Sequence, residues 1–157
     1  MLNQAITQLQ AWFPAKAVHA HCDGPCGVYD PSSARVAAEA VLSMTKKLVD
    51  LEVPASGDKA AGVAYHNTFA RYTAIKEEQA QIAKAELLVL WTDYFKPVHL
   101  EQFPDLHDTF WKAAKLCSAC KVEVSVQHAT ELMEAVQKIH TMFWATKNRD
   151  VSWYTAS

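Results

Sequence analysis

The fold class this sequence predicts is all-α, an antiparallel four-helix bundle. Three observations predict it. Apolar residues recur at helical spacing in four separate segments, and the breaks between those segments are short, the first two carrying Pro or Gly. Only the stretch 121–125 alternates Val with polar residues in the manner of a strand. The first helix opens at Asp30-Pro31, with Asp as cap and Pro at the first helical position. Val36, Val41, Met44, Leu48 and Leu51 mark its expected buried face, and Pro54 with Ser56-Gly57-Asp58 breaks it. The second and longest helix runs from about Lys59 to about Phe95, with Val63, Phe69, Ile75, Ile82, Leu87, Leu90, Trp91 and Tyr94 inward. Gly62 loosens its first turns, and Lys96-Pro97 ends it. A third helix starts near Pro104-Asp105 and carries Leu106, Phe110, Trp111, Ala114 and Leu116 to about Ala119. The fourth runs from about Val126 to Thr146, with Leu132, Met133, Val136, Ile139 and Phe143 inward. From Asn148 on, Trp153 and Tyr154 included, there is no clear period.

Composition bounds the function. The chain has 157 residues and a formal net charge of −2, one domain by length, with a core that needs no staples. It carries no basic face of the kind a nucleic-acid binder needs. No apolar run approaches the ~18 residues of a membrane span. The 4 cysteines are Cys22, Cys26, Cys117 and Cys120, too few for a disulfide scaffold. Their short spacings fit thiols kept for chemistry in a reducing, cytoplasmic compartment.

Residues 1–20 differ from the rest of the chain. Leu2, Ile6, Leu9 and Phe13 recur at helical spacing until Pro14, and Val18-His19-Ala20 looks like a small-residue cleavage site. The segment lacks the basic start and long apolar centre of a secretory signal. Composition leaves two readings open: a removable pro-segment, or a small helix that stays attached.

The chemistry concentrates in His21-Cys22-Asp23-Gly24-Pro25-Cys26-Gly27-Val28-Tyr29. As side chains alone, one imidazole and two thiols make an incomplete zinc site. With His21 as the first residue, the set is complete. Its free amine, the Cys22 backbone nitrogen and the Cys22 sulfur close two five-membered chelate rings, and Cys26 supplies the fourth corner. Tetragonal nitrogen and sulfur ligation points to Cu(II) or Ni(II).

This string resembles the N-terminal hook of the nickel superoxide dismutases, with Gly24 standing where other members often have Leu. The block Leu90-Trp91-Thr92-Asp93-Tyr94-Phe95-Lys96-Pro97 resembles the second signature of that family. Phe103-Pro104-Asp105-Leu106-His107 and Phe143-Trp144-Ala145-Thr146-Lys147 follow its pattern too, so the match covers roughly residues 21 to 147.

The resemblance implies a precursor whose pro-segment, 1–20, is cut away by a maturation peptidase, leaving 21–157 as the enzyme domain. It implies a homohexamer that disproportionates superoxide with one nickel ion per subunit cycling between Ni(II) and Ni(III). His21, Cys22 and Cys26 are then the metal ligands. Pro25 sits in a turn that is cis in the family. Tyr29 resembles the tyrosine that guards the open face, with Asp23 and Tyr94 as its supporting neighbours. Lys96 is the candidate for attracting the anionic substrate.

Two positions depart from the family: Ala37 stands where members carry a Glu beside the axial imidazole, and Gln79 where they carry the Arg that pairs with it. Cys117 and Cys120 lie outside the family motif and read first as small buried hydrophobes. The rival reading is a metal-binding or metal-delivery protein without redox catalysis, because His19, His21, Cys22 and Cys26 of an uncut chain make a tetrahedral, zinc-type set.

Overall fold

The computed structural model describes residues 27–156. Four α-helices follow in chain order: α1 Ser32–Val49, α2 Lys59–Val89, α3 Leu106–Val122 and α4 Val126–Thr146. Each packs against its chain neighbours and α1 also packs against α4, which closes an antiparallel bundle. The starts are chemically encoded. Asp30 accepts from the Ser32 amide at 2.7 Å, Asp58 from the Ala61 amide at 2.9 Å, and Ser125 from the His128 amide at 3.2 Å. α4 stops where Asn148 turns left-handed at φ 52, and Arg149 donates back to the Trp144 carbonyl at 3.0 Å. No helix among the described residues is long and apolar enough to cross a membrane.

The core differs from its sequence outline in where α1 and α2 bury their surface. In α1 the inward row is Ala34, Ala37, Ala38, Val41, Thr45 and Leu48. Val36, expected inside, is 53% exposed, because the true stripe passes on either side of it through alanines. Those alanines let α1 lie close against Ala80 and Ala83 of α2. Trp111 is likewise exposed. It follows Phe110, which lies on the buried face, and the turn of about 100° to the next position carries Trp111 past the edge of that face. The inward residues expected of α4 are all buried.

α2 has 31 residues against 17 in α3, about 46 Å against about 26 Å at helical rise. Its first half therefore overhangs α3, and its buried side chains begin only at Lys76. Val63 and Phe69, expected inside, are exposed on this overhang.

Lys76 fixes where the overhang starts. Its side chain is 1% exposed and its ammonium donates to the carbonyls of Cys120, Lys121 and Glu123. Three donors thus meet three acceptors at the end of α3, where a helix otherwise leaves its last carbonyls unpaired. Burial pulls the Lys76 pKa below the ordinary lysine value, against the opposing pull of Glu77 and Cys120. Lys76→Met should fold but lose about 2–4 kcal/mol, since buried acceptors lose their donors. Chemical denaturation reads this directly. A loss no larger than that of an exposed lysine such as Lys112 would show that the contact does not bear on stability.

Cys117 and Cys120 face the core from α3 as free, buried thiols. Burial pushes Cys117 up to about 12, reinforced by Cys120 and opposed by Lys84 and Lys121. Burial likewise pushes Cys120 up to about 11, against the pull of Lys76. An unfolded thiol ionises near 9.0, so between that value and the folded ones the unfolded chain has released protons that the folded chain keeps. Stability from these groups is therefore full below about pH 9 and falls as pH rises towards 11–12. Replacing both with Ala should flatten the decline of Tm above pH 9. Parallel Tm–pH curves for the two proteins would contradict this.

Candidate metal centre

The donor string His21, Cys22, Asp23, Gly24, Pro25 and Cys26 lies outside the described residues, as does the whole of 1–20. What the structure places is the root from which that string emerges. Gly27 has φ 65, the left-handed region where a side chain is strained and glycine is not. Tyr29 comes two residues later, half-buried and packed on the core, and Asp30 then caps α1.

The Tyr29 ring stands 5.4 Å from that of Tyr94, centroid to centroid. Tyr94 reaches this position because α2 does not end as an α-helix. Its last turn, Leu90–Tyr94, is a π-helix closed by the Phe95 amide on the Leu90 carbonyl at 3.1 Å. The Thr92 hydroxyl takes the Leu88 carbonyl at 2.8 Å, as a Thr inside a helix does when its side chain competes for the backbone. The extra residue re-aims the end of the helix, a device often found at functional sites. Sequence periodicity, which runs an α-helix to Phe95, carries no signal for it.

Tyr94 is held on several sides. Its hydroxyl shares a 2.5 Å hydrogen bond with Thr146 Oγ1, which itself donates to the Phe143 carbonyl at 2.7 Å. Phe143 packs against the ring at 4.5 Å, and His99 stacks on it at 5.8 Å. Just beyond, the Trp91 indole donates to His107 Nδ1 at 2.8 Å and stacks on Phe110. The two signature blocks around Trp91 and Phe143 therefore meet in space.

Lys96 is exposed and its backbone amide donates to His99. A further cation, Lys147, lies with Nζ 5.4 Å from the Tyr94 ring centre and 4.8 Å from that of Phe143. Thr146 and Lys147 have no mark in the sequence beyond belonging to the last signature block. Their place at Tyr94 appears only once the last turn after α2 and the end of α4 meet at one end of the bundle.

Ala37 and Gln79 share one cleft of about 330 Å³ between α1 and α2, lined also by Ser32, Ser33, Val36 and Ile82. No third side chain among the described His, Cys, Asp and Glu residues joins any two others as a metal-holding group. The string before Gly27, outside the described residues, carries one imidazole and two thiols, a set rich in soft sulfur of the kind that suits nickel.

A family model described as nickel-containing superoxide dismutase matches residues 16–147. The superoxide dismutase [Ni] of Streptomyces seoulensis is 40% identical over 134 residues, which is 85% of this chain and 93% of that protein. That of Streptomyces coelicolor is 38% identical over the same shares. The native structure of a nickel superoxide dismutase superposes with a TM-score of 0.71 at 36% identity, covering 82% of this chain and 100% of that one.

Proposed function

The chain belongs to the nickel-containing superoxide dismutase family, and from that premise we propose how its own residues serve the reaction. The protein disproportionates superoxide to dioxygen and hydrogen peroxide at a nickel centre. In our reading His21, Cys22 and Cys26 hold the nickel, one ion per subunit, after a peptidase removes residues 1–20. When bound, nickel would supply a one-electron Ni(II)/Ni(III) couple.

Everything else falls to the chain. Thiolates and an ionised amide are strong donors and favour the higher oxidation state. Lys147, at the rim of the tyrosine pair, raises the local concentration of a small anion. Tyr29 limits access and holds the water that delivers protons to the outgoing peroxide, with Asp23 beside it. Tyr94 positions Tyr29, and Thr146 fixes Tyr94. The observation that carries this reading is the Tyr29–Tyr94 contact immediately after the donor string.

The assembly we propose is the homohexamer. The overhang of α2, with Val63 and Phe69 exposed and Tyr65 stacked on Phe69 at 6.2 Å, offers apolar surface for a neighbouring subunit. A cytoplasmic site fits two free thiols in the core.

Protein purified from its native cells should begin at His21 and carry one nickel per subunit, by intact mass and metal analysis. The uncut chain should fold but be inactive, because an added residue turns the His21 amine into a poorly donating amide. Full dismutase activity from an uncut, nickel-loaded chain would overturn this. Cys22→Ser or Cys26→Ser should each abolish activity while circular dichroism stays unchanged.

The shared cleft gives the two departures from the family a joint test. Ala37→Glu alone puts a carboxylate at a buried position with no cation among the residues lining the cleft and should cost stability, about 3 kcal/mol for an unpaired buried charge. Adding Gln79→Arg should restore most of that loss and order the His21 imidazole, as an acceptor on a ligating histidine does. Equal stability and equal nickel spectra for single and double variants would show that the two positions do not couple.

A further inference from the structure

The family match ends at residue 147, yet the chain continues and packs back across the bundle. From the end of α4 the tail runs to the start of α1, and its contacts fall on the two buried charges there. Arg35 and Glu39 form an ion pair at 2.9 Å with side chains 7% and 11% exposed. A pair this deep needs every polar atom matched to offset its desolvation. Arg35 Nη1 donates to Glu39 Oε2, and the Ala156 amide of the tail donates to Glu39 Oε1 at 2.7 Å. The Tyr154 ring covers the Arg35 guanidinium at 4.4 Å. Upstream, the Val151 carbonyl bonds His140 Nε2 at 2.8 Å, and Trp153 packs edge-on to His140 at 5.4 Å. Tyr154 itself remains 60% exposed, so it gains little by its own burial and acts mainly as a lid on the guanidinium.

We propose that residues 149–156 form a strap that locks the first turns of α1 against α4 and thereby anchors the root of the metal hook. The Arg35 amide donates to the Pro31 carbonyl at 3.1 Å, so the strapped turn is the one that receives the chain directly from Tyr29 and Asp30. Loosening it lets Tyr29 move relative to Tyr94, which is fixed independently from α4. The consequence for nickel rests on the hook holding the metal; the strap itself does not.

The test is hydrogen exchange by mass spectrometry on the full chain, on a variant ending at Ser152, and on Tyr154→Ala and Tyr154→Phe. Amides of 28–40 should exchange about tenfold faster in the truncated protein as that turn opens locally. Tyr154→Ala should be intermediate and Tyr154→Phe unchanged, since the ring and not the hydroxyl covers Arg35. Peptides from α3 should change little. Unchanged protection of 28–40 on truncation, or faster exchange spread evenly through the bundle, would overturn the strap. On nickel-loaded protein, release to a chelator should quicken in the truncated form. A chain that takes up no nickel at all would count against the hook, while the exchange result still decides the strap.

Discussion

The Lys76 ammonium, buried on the last carbonyls of α3, sets the register on which the rest of the bundle depends. Apolar side chains tolerate sliding, because a row of alanines and leucines packs nearly as well one turn along. Three hydrogen bonds from one buried cation do not. They fix α3 against the middle of α2, and α4 is fixed with it because Glu123–Ser125 alone separates the two. Eighteen positions further along α2, about 27 Å at helical rise, stands Tyr94. A slip of one turn would carry Tyr94 about 5.4 Å, as far as the whole present separation of its ring from Tyr29. The tyrosine pair thus depends on a lysine at the far end of the bundle.

How much of this is legible in the sequence depends on which signal each element carries. α4 has large apolar residues at strict helical spacing and a serine cap, and its bounds read directly as Val126–Thr146. α1 buries alanines, whose small side chains stand out poorly from a polar background, so periodicity puts Val36 on the wrong face. Lys76 sits in a pattern where a lysine ordinarily means water, and nothing local tells that its carbonyl partners arrive from more than forty positions away. The π-turn is one added residue in the last turn of a long helix, invisible to a period of 3.6.

The site is readable in a different way. His21, Cys22 and Cys26 stand out because the whole string around them resembles a family motif, whereas Thr146 and Lys147 are ordinary residues brought to Tyr94 by position. Lys96 belongs to the second signature block, where its backbone amide donates to His99, and Lys147 to the last. The cation over the Tyr94 ring depends on how α4 ends. The left-handed Asn148 stops the helix and leaves Lys147 over the aromatic cluster.

Cys117 and Cys120 show how burial withholds a thiol from chemistry. A thiol that binds metal and donates electrons must do so as the thiolate, the use we propose for Cys22 and Cys26. In α3 burial holds Cys117 and Cys120 at about 12 and about 11, so both stay protonated across any physiological pH. The distinction matters in a protein whose product is hydrogen peroxide, since peroxide attacks thiolates and largely spares buried thiols. Packing the second pair inside α3, under Lys76 and away from the tyrosine end, lets the chain keep sulfur in its core beside a source of oxidant. The same low-dielectric core that makes Lys76 demanding of its three carbonyls keeps these thiols inert.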